Sequence, residues 1–259
     1  MIEIGSVRAG NCATPPVRAT LAAMAISPET EWILIACGLI AHADGVLDGN
    51  EVERLMAMVD DLIPEDDYSD WLGLIGDRDA LDARYAELPN PPEAQHRMIL
   101  EEAWAMAMVD GTRDAAELVV LARIAERFGV EPMQLEFWRQ AWTEAEKEFS
   151  IRVAELGMWC LGGGGALFED DHSPYLDVME RLPTSSEERV RLGEFATEPP
   201  VSDPDALARS LAALPRTRRK HAFAFVIPLV RFAVEREAAQ ARFEALGKQA
   251  GLLDIADML

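Results

Sequence analysis

Apolar positions along this chain recur at spacings of three and four and almost nowhere alternate, a pattern that predicts helices throughout. "EWILIACGLIAHA" (Glu31–Ala43) opens the first clear one. "NEVERLMAMVDDLI" follows, with Val52, Leu55, Met56, Val59, Leu62 and Ile63 on its apolar side, and Pro64 ends it. "DYSDWLGLIG" and "DALDARYAEL" predict two shorter helices, broken near Gly76 and closed by the prolines of "PNPP" (Pro89–Pro92). "EAQHRMILEEAWAMAMV" and "DAAELVVLARIAERFG" form a second pair, with Gly129 placed for a C-terminal cap. "MQLEFWRQAWTEAEKEF" follows Pro132 as another helix. The fold class is all-α.

The four glycines Gly162–Gly165 are the clearest interruption, because each loses much backbone entropy on ordering and breaks a helix. No Gly-Lys-Ser/Thr follows, which excludes a phosphate loop and leaves a hinge. Beyond it, "PYLDVMERL", "SEERVRLGEFA" and "DPDALARSLAAL" predict short helices between proline-rich turns. The chain therefore divides into an irregular segment 1–30 with a short helix over Val17–Ala25, a helical domain 31–160, a glycine hinge 161–166 and a helical region 167–259. In the last region "HAFAFVIPLVRFAV" and "REAAQARFEALGKQAGL" echo the second helix pair when Arg236 is laid on Arg113, as a degenerate third repeat.

Charge narrows the partners. The net charge of −22 over 259 residues repels nucleic acid and anionic lipid headgroups. From Pro204 onward there are six acids and nine bases, so residues 1–203 carry −25. The cluster "RTRRK" (Arg216–Lys220) reads as a solvated helix start, or as a patch that docks on the acidic body or on an acidic partner. Three widely spaced cysteines (Cys12, Cys37, Cys160) fit reduced thiols in the cytoplasm. The chain shows no signal-peptide pattern, and its longest apolar stretch, broken by Pro228 and Arg231, is too short for a membrane span.

The chemistry concentrates in a repeat. "HADGVLDGNE" and "MVDGTRDAAE" share Asp-Gly-x-x-Asp-x-x-Glu at an offset of 66 residues, as Asp44, Gly45, Asp48, Glu51 and Asp110, Gly111, Asp114, Glu117. Asp48 and Asp114 stand before a helix with Glu51 and Glu117 three residues later, the spacing of a capping box. Gly45 and Gly111 suit a left-handed turn. Asp44 and Asp110 are left over, as acids near a negative helix end. If the repeats pack as a pseudo-twofold pair, Asp44 and Asp110 converge with Asp48 and Asp114 into an oxygen-ligand cluster for a hard cation such as Ca²⁺ or Mg²⁺. An EF-hand is excluded, because Val46 and Leu55 fall at ligand positions.

"AHADGVLDGNEVERL" and "AMVDGTRDAAELVVL" resemble the two acidic Asp-Gly corners of the TerB domain, named for bacterial tellurite resistance. The resemblance covers roughly residues 30–145, with Val109 standing where that family usually has Ala. It implies a helical bundle of pseudo-twofold repeats; the additional helical C-terminal region lies outside a minimal domain of this kind and leaves room for an additional activity. It also implies a non-catalytic protein that binds a partner protein and a divalent cation in a stress-response assembly. Its metal-linked positions here are Asp44, Asp48, Glu51, Asp110, Asp114 and Glu117. No organic cofactor is implied, and any membrane association would be peripheral, through the partner.

Two readings from other classes use the same residues. Paired aspartates with a metal could serve a hydrolase, and the corners could be purely structural in a helical interaction module. No His-Glu-x-x-His occurs, and Cys37 and His42 fall on different sides of one helix. "EDDHS" (Glu169–Ser173) reads as an exposed acidic loop and a weak candidate for metal or acid–base chemistry, and "IPEDDYSD" (Ile63–Asp70) reads as a solvated turn.

Overall fold

The computed structural model describes residues 26–200 and 203–259; the short helix expected over Val17–Ala25, and Cys12, lie outside them. Among the described residues the chain forms twelve α-helices and no strand. α1 (Pro28–Ala41) starts where the Ser27 hydroxyl accepts the Thr30 amide at 3.0 Å, with Pro28 at the first helical position. Every residue from Leu34 to Ala41 is buried, so α1 is apolar on all sides and forms the axis of a core. α2 (Gly49–Leu62), α3 (Tyr68–Ile75), α4 (Arg78–Glu87), α5 (Glu93–Met106) and α6 (Ala115–Arg127) all pack against it.

α2 shows how one residue of phase changes a face. Leu55, Met58 and Val59 are its buried side chains, whereas Met56, expected on the apolar side, is 53% exposed. Leu55, at three and four residues from Met58 and Val59, fixes the inward face, and Met56 lies about 100° round from Leu55.

α7 (Pro132–Gly162) runs through both halves of the molecule. Its Leu135 and Trp142 belong to the core around α1, and its side chains from Phe149 onward belong to a second core. The second core also takes α8 (Glu169–Met179), α9 (Ser186–Gly193), α10 (Pro204–Ala213), α11 (Arg216–Phe232) and α12 (Arg236–Gln249). The division between cores therefore falls inside α7 and not at the glycine run. Gly163 and Gly164, at φ 60° and 92°, turn the chain out of α7, and Leu161 and Leu167 on either side both sit in the second core. The turn is tight enough that a Cβ on Gly164 would come 2.8 Å from the Trp159 ring.

Of the two acidic stretches, one is helical and the other is the exposed turn expected of it. "EDDHS" lies in α8, where buried Asp171 accepts the Val234 amide at 3.0 Å; "IPEDDYSD" forms a 3-10 turn, Glu65–Asp67, leading into α3. Helix starts favour acids, so the same composition serves either structure. The basic cluster is used within the chain. Arg218 pairs with Glu101 of α5 at 2.6 Å, Lys220 with Asp254 at 2.6 Å, and Arg219 donates to the Ala250 carbonyl at 2.5 Å. No helix among the described residues is long and apolar enough to cross a membrane.

Candidate functional site

The two Asp-Gly corners have the same geometry. Asp48 caps α2 at φ −81°, ψ 170°, and Asp114 caps α6 at φ −83°, ψ 171°. Each is a complete capping box: the Glu51 amide donates to Asp48 at 2.8 Å and the Asp48 amide to Glu51 at 2.9 Å. The Glu117 amide donates to Asp114 at 3.0 Å and the Asp114 amide to Glu117 at 2.8 Å. Gly45 and Gly111 have φ of 87° and 89°, the left-handed region where a Cβ is strained.

The acids that capping left over have a local role as well. Asp44 lies beyond the end of α1, and its Oδ1 accepts the Val46 amide at 2.7 Å; Asp110 accepts the Thr112 amide at 2.8 Å. These are Asx turns, which Asp at the first position of a turn favours. That signal was present in the sequence at both corners.

The corners meet. Asp44, Asp48 and Glu51 of the first and Asp110, Asp114 and Glu117 of the second line one cavity of about 70 Å³, with Ile40 and Val46 completing its wall. Burial raises the Glu51 carboxyl to about 7, opposed by its backbone hydrogen bond at Asp48 and reinforced by the charges of Asp48, Asp44 and, across the cavity, Asp110. Burial likewise raises Glu117 to about 7, with the charges of Asp114, Asp110 and Glu51 adding to it. The two glutamates therefore sit where burial and the neighbouring acids both favour their protonated form.

The donor chemistry of this cavity, all carboxylate oxygen, fits a hard divalent cation. The spacing is looser than a closed cage: among the described residues, no three Asp, Glu, His or Cys side chains stand ready to hold one ion together. An ion here would keep part of its water shell, or draw the carboxylates in, as Mg²⁺ and Ca²⁺ sites respectively allow.

Sequence patterns did not reveal the supports of the corners. Arg113 stacks on Trp104 at 3.5 Å from the ring centre, donates to the Trp104 carbonyl at 3.0 Å and pairs with Glu146 of α7 at 2.8 Å. Arg189 of α9 is buried and donates to the Met108 carbonyl at 2.9 Å and the Val109 carbonyl at 3.2 Å. At the first corner Arg78 donates to the carbonyl of His42, the counterpart of Met108, at 2.5 Å. His42 itself bonds the Ile75 carbonyl at 2.8 Å. Cys37 and Cys160 are buried, and burial pushes both thiols far above their usual value, so neither is a thiolate.

The fold and the cavity define a class: an all-helical domain in which two equivalent helix–corner–helix units bring their acidic turns together. Residues 30–140 match the family model described as tellurite resistance protein TerB, so this part of the chain is similar to TerB domains. No curated protein and no solved structure matches the chain.

Proposed function

We propose that this is a non-catalytic TerB-type protein that binds a divalent cation, Ca²⁺ or Mg²⁺, and a partner protein through its paired acidic corners, in a tellurite-resistance-like stress-response assembly. The observation that carries this reading is the single cavity lined by Asp44, Asp48, Glu51, Asp110, Asp114 and Glu117. A purely structural role accounts for each carboxylate's own hydrogen bond. It does not account for six acids facing one another at the expense of raised carboxyl pKa values, an arrangement that a cation would relieve.

The test is thermal melting with Ca²⁺ or Mg²⁺ at equal ionic strength to NaCl, in the wild type and in Asp44→Asn and Asp110→Asn. A cation bound only by the folded state adds about 2.7 kcal/mol at a hundredfold excess over Kd. The melting temperature should rise in the wild type and much less in either variant. An equal rise in NaCl would reduce the effect to screening of a −22 chain. Sustained turnover of a generic phosphoester with Mg²⁺ or Mn²⁺, lost in Asp44→Asn, would favour the hydrolase instead.

A further inference from the structure

The two corners are equivalent in backbone and unequal in what covers them. At the second, α9 covers Gly111, with Asp110 and Thr112 left exposed on either side. The amide of Ser186, the first helical residue of α9, donates to the Gly111 carbonyl at 3.0 Å, and a Cβ on Gly111 would come 2.6 Å from the Ser186 hydroxyl. The first amides of a helix have no partner within it and carry the positive end of its dipole. An acidic turn with a carbonyl turned outward satisfies both, and at Gly111 the chain uses it so.

The first corner has the same turn without the cover. Asp44, Gly45 and Val46 are all exposed, Val46 by 65%, and a Cβ on Gly45 would meet nothing within 4 Å. Arg78 takes the place of Arg189 at the helix end, but no described helix start donates to the Gly45 carbonyl as Ser186 does to Gly111.

We infer that the first corner, Asp44–Val46, docks the N-terminal turn of a helix from a partner protein, in the way α9 covers the second corner. The occupant is defined by its template in this chain: a helix start with a free first-turn amide for the Gly45 carbonyl, seated between the exposed Asp44 and Val46. This rests on the reading that the corners recognise a partner.

The experiment uses the full chain, ¹⁵N-labelled, titrated with a synthetic peptide of residues 182–197, which carries α9 and its Ser185 cap. Saturable shifts are expected at the amides of Asp44, Gly45 and Val46, and Val46→Glu should weaken binding at least fivefold. A peptide with Ser186→Pro keeps a good helix start but lacks the donor amide, and it should bind at least fivefold more weakly. Shifts confined to Gly111, or an unaffected Val46→Glu, overturn the inference. Equal binding of the Pro peptide at Gly45 also overturns it, while leaving the corner as a partner surface. Shifts at neither corner count against both.

Discussion

One nitrogen of Arg113, Nη2, donates to both carboxylate oxygens of Glu146, at 2.9 and 2.8 Å, and so fastens the second corner to α7. Both groups are largely buried, and for each the largest influence is desolvation: it lowers Arg113 and raises Glu146 against the pull of the pair. Such a pair is expensive to break and cheap to replace. Arg113→Ala should cost about 3–5 kcal/mol by leaving Glu146 buried without its cation. The double variant Arg113→Met, Glu146→Leu should cost clearly less than either single change, in denaturant melts at neutral pH.

The corner acids separate into caps and turn formers. Asp48→Ala and Asp114→Ala should each lower stability by about 0.5–2 kcal/mol without added metal. Asp44→Asn and Asp110→Asn keep an oxygen for the Val46 and Thr112 amides and remove a charge from a repelling cluster. They should leave stability unchanged or raised. Asp44→Ala and Asp110→Ala lose the turn bond and should cost about 0.5–1.5 kcal/mol, measured by urea denaturation.

The repeat, its caps and its glycine turns were legible because each depends on residues within four positions of one another. That the corners would converge was an expectation from their likeness alone. The supports were not legible: Arg113, Glu146, Arg78 and Arg189 are ordinary surface residue types until tertiary packing supplies their partners. Helix ends misled in both directions. Pro228 and Pro174 lie inside α11 and α8, where packing outweighs the lost hydrogen bond, and the glycine run bends the chain without separating the cores.

Gly45→Ala and Gly111→Ala should differ, although both force a side chain into left-handed backbone at about 1–2 kcal/mol. Only the Gly111 change also drives a methyl into Ser186 and Arg189. It should destabilise more and expose the segment Ser186–Ala196 to limited proteolysis; Gly45→Ala should not.

Glu51 and Glu117 give the folded state a higher proton affinity than the unfolded chain, from an ordinary 4.5 to about 7. The folded state binds more protons across that interval, so these groups make stability fall as pH rises from about 4.5 to 7 and level off above. Gln can keep the capping bond without the charge. Glu51→Gln with Glu117→Gln should therefore flatten this slope and raise the melting temperature at pH 8, with little effect at pH 4.5.

Proton release on cation binding tests the central claim most directly. At pH 7 the two glutamates, both raised to about 7, are partly protonated and so hold a proton for part of the time. A cation entering the cavity must expel it, because carboxylates bind metal deprotonated. Adding Ca²⁺ or Mg²⁺ to weakly buffered protein at pH 7 should release up to about one proton per chain, saturably, and none from the double Gln variant. Release no greater than that produced by NaCl at equal ionic strength, or release undiminished in the double Gln variant, would contradict a cation site between the corners.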